Sequence, residues 1–222
     1  IIEMTPLDEC IIGPFSVKWL PITHSLPEPC GLVITTPVGK VFHTGDWKLD
    51  SNPVVGEGVN YDYFKHLATQ DIDAMVCDST NALKHGNSVS ESACEAGLYH
   101  YINSAPKRVV VACFASNIAR LITIARVAQQ TQRRMAVFGR SLVNMIGLAR
   151  RTGYWPEDCQ LIDRRHVGYL PEEEVLIVAT GSQGEPKAAL NQLAKDTHRD
   201  ISLTSQDTII FSTIVIPGNE KP

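Results

Sequence analysis

No apolar run in the 222 residues approaches the roughly 20 that a membrane-spanning helix needs. The longest, Val109–Ala115 and Val175–Ala179, suit buried strands instead. The six cysteines include no Cys-x-x-Cys pair, which argues against a structural zinc site or a disulfide frame. Several lie in apolar runs where a thiol acts as a small hydrophobe, so reduced cysteines and a cytoplasmic protein are expected. The start, Ile1-Ile2-Glu3-Met4, has no initiator methionine, no basic stretch and no small-residue cleavage site; it is expected to lie inside a longer protein. Neither a G-x-x-x-x-G-K-[ST] loop nor a G-x-G-x-x-G fingerprint occurs, which removes the two commonest nucleotide-binding readings. Repeats and low-complexity segments are also missing.

What is present is ordinary in bulk, 44% hydrophobic and 20% charged, and uneven in detail. To about residue 80 the chain reads as short strands with Pro and Gly between them: Ile11–Leu20, Leu32–Thr36, Val41–His43 and Ile72–Cys77. From Ser88 the texture changes, with Ser88-x-x-Glu91 as a capping box before a helix reaching about Ile102. Continuous apolar strands then alternate with helices: strands at Arg108–Cys113, Met135–Phe138, Val175–Ala179 and Thr208–Ser212, helices at Asn117–Gln129, Ser141–Arg151 and Pro186–Ala194. That pattern predicts an α/β layer structure around a mainly parallel sheet. Charge follows the same division. Between Lys107 and Arg165 eleven Lys/Arg face three acids, a net of +8 within a chain of net -4. A basic middle with acidic flanks fits a polyanion-binding module joined to a carboxylate-bearing part.

Open α/β sheets bind ligands beyond the carboxyl ends of their strands, where helix N-termini present free amides to anions. Three such junctions are small and polar: Ser116-Asn117, Gly139-Arg140-Ser141, and Gly181-Ser182-Gln183. Ser and Asn there also serve as helix caps and Gly as a turn former. With Arg120 and Arg140 beside them, three in succession point to a phosphate-binding edge. In the first part His24 and Asp46 each follow a strand, and an imidazole with a carboxylate is suitable chemistry for a zinc-type cation.

These segments resemble one family. Pro21-Ile-Thr-His24-Ser25, His43-Thr-Gly-Asp46-Trp-Lys48, Cys77-Asp78-Ser79-Thr80-Asn81-Ala82, Phe114-Ala-Ser116-Asn117, Gly139-Arg140-Ser141, Thr180-Gly-Ser-Gln-Gly-Glu185-Pro186 and Ile216-Pro-Gly-Asn219-Glu220 occur in the order seen in ribonuclease J. The resemblance implies a partial metallo-β-lactamase αββα-type domain over residues 1–84, a β-CASP domain over 85–206, and a return segment over 207–222. It implies RNA as partner and substrate, no membrane, a homo-oligomer in the intact protein, and two zinc ions. His24 and Asp46 would be metal ligands, with Asp46 bridging and Asp78 orienting a histidine proton donor. Ser116, Asn117, Arg120, Gly139, Arg140, Ser141, Gly181, Ser182 and Gln183 would line the phosphate path. The implied reaction is hydrolysis of an RNA phosphodiester by a metal-activated hydroxide, in 5′ exonucleolytic or endonucleolytic mode.

The sequence departs from the family at its metal cluster. A His-x-His-x-Asp-His cluster is missing, and no two of the seven histidines lie within five residues of each other. Ala119 stands where members often carry histidine. The isolated segment is therefore expected to be inactive. Two alternatives stay open: a non-catalytic RNA-binding or scaffold paralogue, and a metallo-β-lactamase-fold hydrolase of small esters, which the basic middle disfavours.

Overall fold

Gly13-Pro14 breaks the apolar run Ile11–Leu20 into a hairpin, so the single strand expected there is two: β1 (Glu9–Ile12) and β2 (Phe15–Pro21). The cause is local, since proline cannot continue a hydrogen-bonded ladder and Gly-Pro suits a two-residue loop. β3 (Cys30–Thr36) and β4 (Gly39–His43) form the next hairpin. Helix α1 (Tyr61–Ala68), capped by the Asn60 side chain, then carries the chain to β5 (Ala74–Val76), parallel to β4. The sheet order is β1-β2-β3-β4-β5, and Leu20, Val33, Phe42 and Leu67 form its core, with Tyr63, Phe64 and Ile72 packed against it. This computed structural model describes residues 1–214 and 216, and the chain divides into two units, Ile1–Ser92 and Ala93–Pro222.

The capping box at Ser88 does not form. Helix α2 (Cys94–Ser104) begins later, after a 3-10 turn at Glu91–Ala93, with no side-chain cap. Glu91 is instead buried, and its amide donates to Asp50 Oδ2 at 3.1 Å. A long-range partner outcompetes the local one.

The second unit is built on β6 (Val109–Ala112), β7 (Arg134–Phe138), β8 (Val175–Ala179) and β9 (Thr208–Phe211), all parallel, in the order β7-β8-β6-β9. Helices α3 (Ile118–Gln130) and α4 (Arg140–Arg151) pack on β7, and α2 packs on α3. Helix α5 (Ala189–Ala194) is shorter than expected, starting three residues past Pro186. Because side chains alternate across a strand, Val110, Ala112, Ala136, Phe138, Val175, Ile177 and Ala179 share one face, covered by Val167, Leu190, Leu193 and Ile201. Val109, Val111, Met135, Leu176 and Val178 point the other way and are equally sealed from solvent. Both faces are buried, which is why these strands are continuous apolar runs. Each fully buried Ile or Leu contributes roughly 1.5–3 kcal/mol.

Among the described residues no helix is long and apolar enough to cross a membrane. Cys113 and Cys159 are buried, whereas Cys77 is exposed just beyond β5.

Arg133 supports the sheet from below. It is 8% exposed, and its guanidinium donates to the carbonyls of Ala105 at 2.6 Å, Lys107 at 2.7 Å and Val175 at 3.4 Å. Arg133→Met strands these acceptors and is expected to cost about 2–4 kcal/mol. A urea titration reads this as a lower midpoint at unchanged slope; an unchanged midpoint refutes the role.

Candidate functional site

In the first unit, β2 runs antiparallel to β3, β3 antiparallel to β4, and β4 parallel to β5. The carboxyl ends of β2, β4 and β5 therefore share one edge, and the loops leaving them carry His24, Asp46 and Asp78. Two buried threonines join these loops. Thr23, 4% exposed, bridges to Lys48: the Lys48 amide donates to the Thr23 carbonyl at 2.9 Å, the Thr23 hydroxyl donates to the Lys48 carbonyl, and the Asp50 amide donates to that hydroxyl at 2.9 Å. Thr44 is fully buried; its hydroxyl accepts from the Asp78 amide at 3.0 Å and donates to the Gly45 carbonyl at 2.7 Å. Sequence reading passes over both, because a threonine after a strand is unremarkable; their signal is adjacency to His24 and to Gly45-Asp46.

His24 is half-buried, with Ser25 Oγ 3.1 Å from Nδ1. Burial pushes its imidazole below the ordinary histidine value, the Asp46 and Asp78 carboxylates oppose this, and Lys48 adds to it. A neutral ring at neutral pH can donate a lone pair to a cation. Asp46 is exposed. Asp78 Oδ1 accepts from the Thr80 hydroxyl at 2.6 Å and the Thr80 amide at 2.9 Å, which holds its carboxyl below the usual range. His43 turns inward on its own loop, Nδ1 accepting from the Gly45 amide at 3.0 Å. Among the described residues no group of three or more His, Cys, Asp or Glu side chains is arranged to hold a metal ion. By themselves, the donors among the described residues do not complete a zinc site.

Beside this edge lies a buried charged cluster. Lys48 Nζ is 3.1 Å from Asp50 Oδ2 and 3.9 Å from Glu91 Oε2, and the Asn52 amide donates to Asp50 Oδ1 at 3.0 Å. Burial alone would raise the Asp50 carboxyl; hydrogen bonds from Ser90, the Asn52 and Glu91 amides and Lys48 outweigh it and hold it at about 2. The cluster fixes the segment around Glu91 to the loop after Asp46, within the unit Ile1–Ser92.

In the second unit, the carboxyl ends of β6, β7, β8 and β9 again share an edge. Asn117 caps α3, its Oδ1 accepting from the Arg120 amide at 2.8 Å, and Ser116 beside it is exposed. Gly139 precedes α4 with φ 131°, and a Cβ there would lie 2.5 Å from Thr180 Oγ1; only glycine fits. Arg140 and Ser141, the first residues of α4, are exposed. Gly181 and Ser182 are buried. At Gly181, φ 112°, a Cβ would meet the Ala188 Cβ at 2.8 Å, so the turn folds tightly under α5. Arg120 Nη1 donates to the Ser212 carbonyl at 3.2 Å and to its hydroxyl, and Nη2 to Cys94 Sγ at 3.1 Å. The Gln183 carboxamide is hydrogen-bonded to Thr213, Ile214 and Ile216. The edge thus brings together Ser116, Arg140 and Ser141 as exposed groups, while Asn117, Arg120 and Gln183 are engaged with the protein. Of the last family-like segment, Pro217 to Glu220 lie outside the described residues.

Three of the eleven basic residues of the middle segment are paired with acids at the opposite edge. Arg108 pairs with Glu172 at 2.8 Å and Asp207 at 3.3 Å, Lys107 with Glu172 at 3.5 Å, and Arg134 with Glu174 at 3.9 Å. These residues sit at or before the starts of β6, β7, β8 and β9.

Two expectations follow for stability. Since Asp50 is depressed from an ordinary 3.8 to about 2, it contributes roughly 2 kcal/mol above pH 4, and this is lost as pH falls toward 2. The stability gap between the wild type and Asp50→Asn should therefore close between pH 4 and 2; a gap that does not change over that range rules the cluster out as its source. Gly139→Ala should lower stability by about 1–3 kcal/mol in denaturant titration, through the forced φ and the clash with Thr180.

Residues 106–222 match the family described as Ribonuclease J, beta-CASP domain. Ribonuclease J of Sinorhizobium meliloti is 40% identical over 214 residues, 96% of this chain and 38% of that protein. The Thermus thermophilus enzyme of the same name is 36% identical over 220 residues, 99% of this chain and 38% of its own. The chain thus spans under two fifths of the length of these curated relatives. A crystal structure of a protein of unknown function from Enterococcus faecalis superposes with TM-score 0.57 at 15% identity, covering 95% of this chain and 55% of that one, a likeness of fold alone. On the strength of the matched domain and these relatives, the chain belongs to the ribonuclease J family.

Proposed function

We propose that this segment is the RNA-handling part of a metal-dependent ribonuclease that hydrolyses RNA phosphodiester bonds. The observation that carries the reading is the polar strand-end edge of the second unit, where the amides opening α4 stand beside the exposed Arg140 and Ser141. A free helix N-terminus next to a guanidinium suits a phosphate, and the family supplies RNA as its source. The first unit, read as part of a metallo-β-lactamase domain, contributes His24 and Asp46 to a zinc centre whose remaining donors lie elsewhere in the intact enzyme. Asp78, braced by Thr80 and Thr44, orients a proton donor there. Residues 1–84, 85–206 and 207–222 are its metal-binding part, β-CASP domain and return segment, in a cytoplasmic homo-oligomer. The segment alone is inactive.

A non-catalytic RNA-binding paralogue draws support from the missing three-donor cluster among the described residues. The two readings part in the intact protein. Metal analysis and hydrolysis of 5′-monophosphorylated RNA should give about two ions and turnover. Asp46→Ala there should cost more than the roughly 10–100-fold typical of an outer-shell partner. An intact protein that binds RNA but neither metal nor cleaves makes the paralogue reading correct.

The interface is tested on this segment. Single-stranded RNA should bind with a log–log salt slope that drops by about 0.7 in Arg140→Ala, one lost phosphate contact. An Arg140→Ala slope equal to wild type removes Arg140 from the interface.

A further inference from the structure

Gln183 stands where the strand-end argument expects a phosphate contact, yet its carboxamide is turned toward its own chain. Nε2 donates to Thr213 Oγ1 at 3.3 Å and to the Ile214 carbonyl at 3.1 Å, and Oε1 accepts from the Ile216 amide at 2.9 Å. A carbonyl and an amide two residues apart are the pair that one residue of a neighbouring parallel strand engages. The side chain acts as a single rung of sheet, prolonging the ladder past the end of β9.

Arg120 holds the same segment one step earlier. Its guanidinium binds the Ser212 carbonyl and hydroxyl and also reaches Cys94 Sγ, while the Ser212 amide donates to the Ala112 carbonyl at 2.9 Å. Ser212, Thr213, Ile214 and Ile216 are thereby held from α3 and from the turn after β8. A guanidinium that reaches Ser212 through Nη1 and Cys94 through Nη2 is set by its planar geometry, which a compact lysine ammonium does not reproduce.

We infer that Arg120 and Gln183 are positioning residues that route the chain along this edge after β9, and that Arg140 carries the charge meeting RNA. The inference deepens the ribonuclease reading by dividing the edge between groups that shape it and groups that contact phosphate. One of its two readouts is independent of RNA.

Amide hydrogen exchange on this segment supplies that readout. Gln183→Leu should speed exchange at Ile216 at least tenfold while the core amide of Val110 is unchanged. Should Val110 accelerate as well, Gln183→Asn, one methylene shorter, replaces it with the same expectation. Unchanged Ile216 exchange in a folded variant overturns the role of Gln183. For Arg120, the salt slope of single-stranded RNA binding decides: Arg120→Gln should weaken binding at the wild-type slope, as loss of shape does. A slope lower by about 0.7 makes Arg120 a phosphate ligand and overturns its positioning role. If the wild type binds no RNA, the proposed interface falls, and the exchange result still decides whether Gln183 holds the segment.

Discussion

Parallel strands end on the same side, and what this chain offers a ligand hangs from that constraint. In the first unit it aligns β4 with β5 and brings the loops carrying Asp46 and Asp78 to one edge, with the loop of His24 joining them through β2 and β3. In the second it aligns four strands, so that residues from three distant stretches line one rim. A parallel sheet needs cover on both faces. Burial of alternate residues of β6, β7 and β8 on opposite sides supplies it. That rim is only as well defined as the core beneath it; in the first unit the hydroxyls of Thr23 and Thr44 convert a shared edge into fixed loops.

How much of this the sequence discloses depends on the range of the interaction. Val175–Ala179 is legible to the residue, because an apolar run bounded by Glu174 and Thr180 admits one reading. Asn117 is legible as a cap because its partner is three residues away. Ile11–Leu20 misleads since apolar residues flank Gly13-Pro14 on both sides and mask the turn. Ser88-x-x-Glu91 misleads for the opposite reason: the Glu91 amide is taken by Asp50, 41 residues earlier. The arginine count misleads likewise, with Arg108 and Asp207 separated by 99 residues. His24, Asp46 and Asp78 stand out through the family's pattern, whereas nothing near Arg120 or Gln183 announces that each faces the chain after β9.

The ion pairs at the start of the second sheet give this unit a polarity. Lys107, Arg108 and Arg134 there are matched against Glu172, Glu173, Glu174 and Asp207. Their fields largely cancel within the roughly 8–10 Å over which salt lets charge be felt. At the other end an exposed guanidinium and the open amides of α4 have no such neighbours among the described residues. On the proposed reading of this edge as an RNA interface, a diffusing polyanion is indifferent to one pole of the unit and drawn to the other, so that its approach is aimed before any contact is made. Pairing Lys107, Arg108 and Arg134 at one pole sharpens attraction by confining it: a uniformly basic surface would hold a strand in many postures, and this one would favour a single direction of arrival.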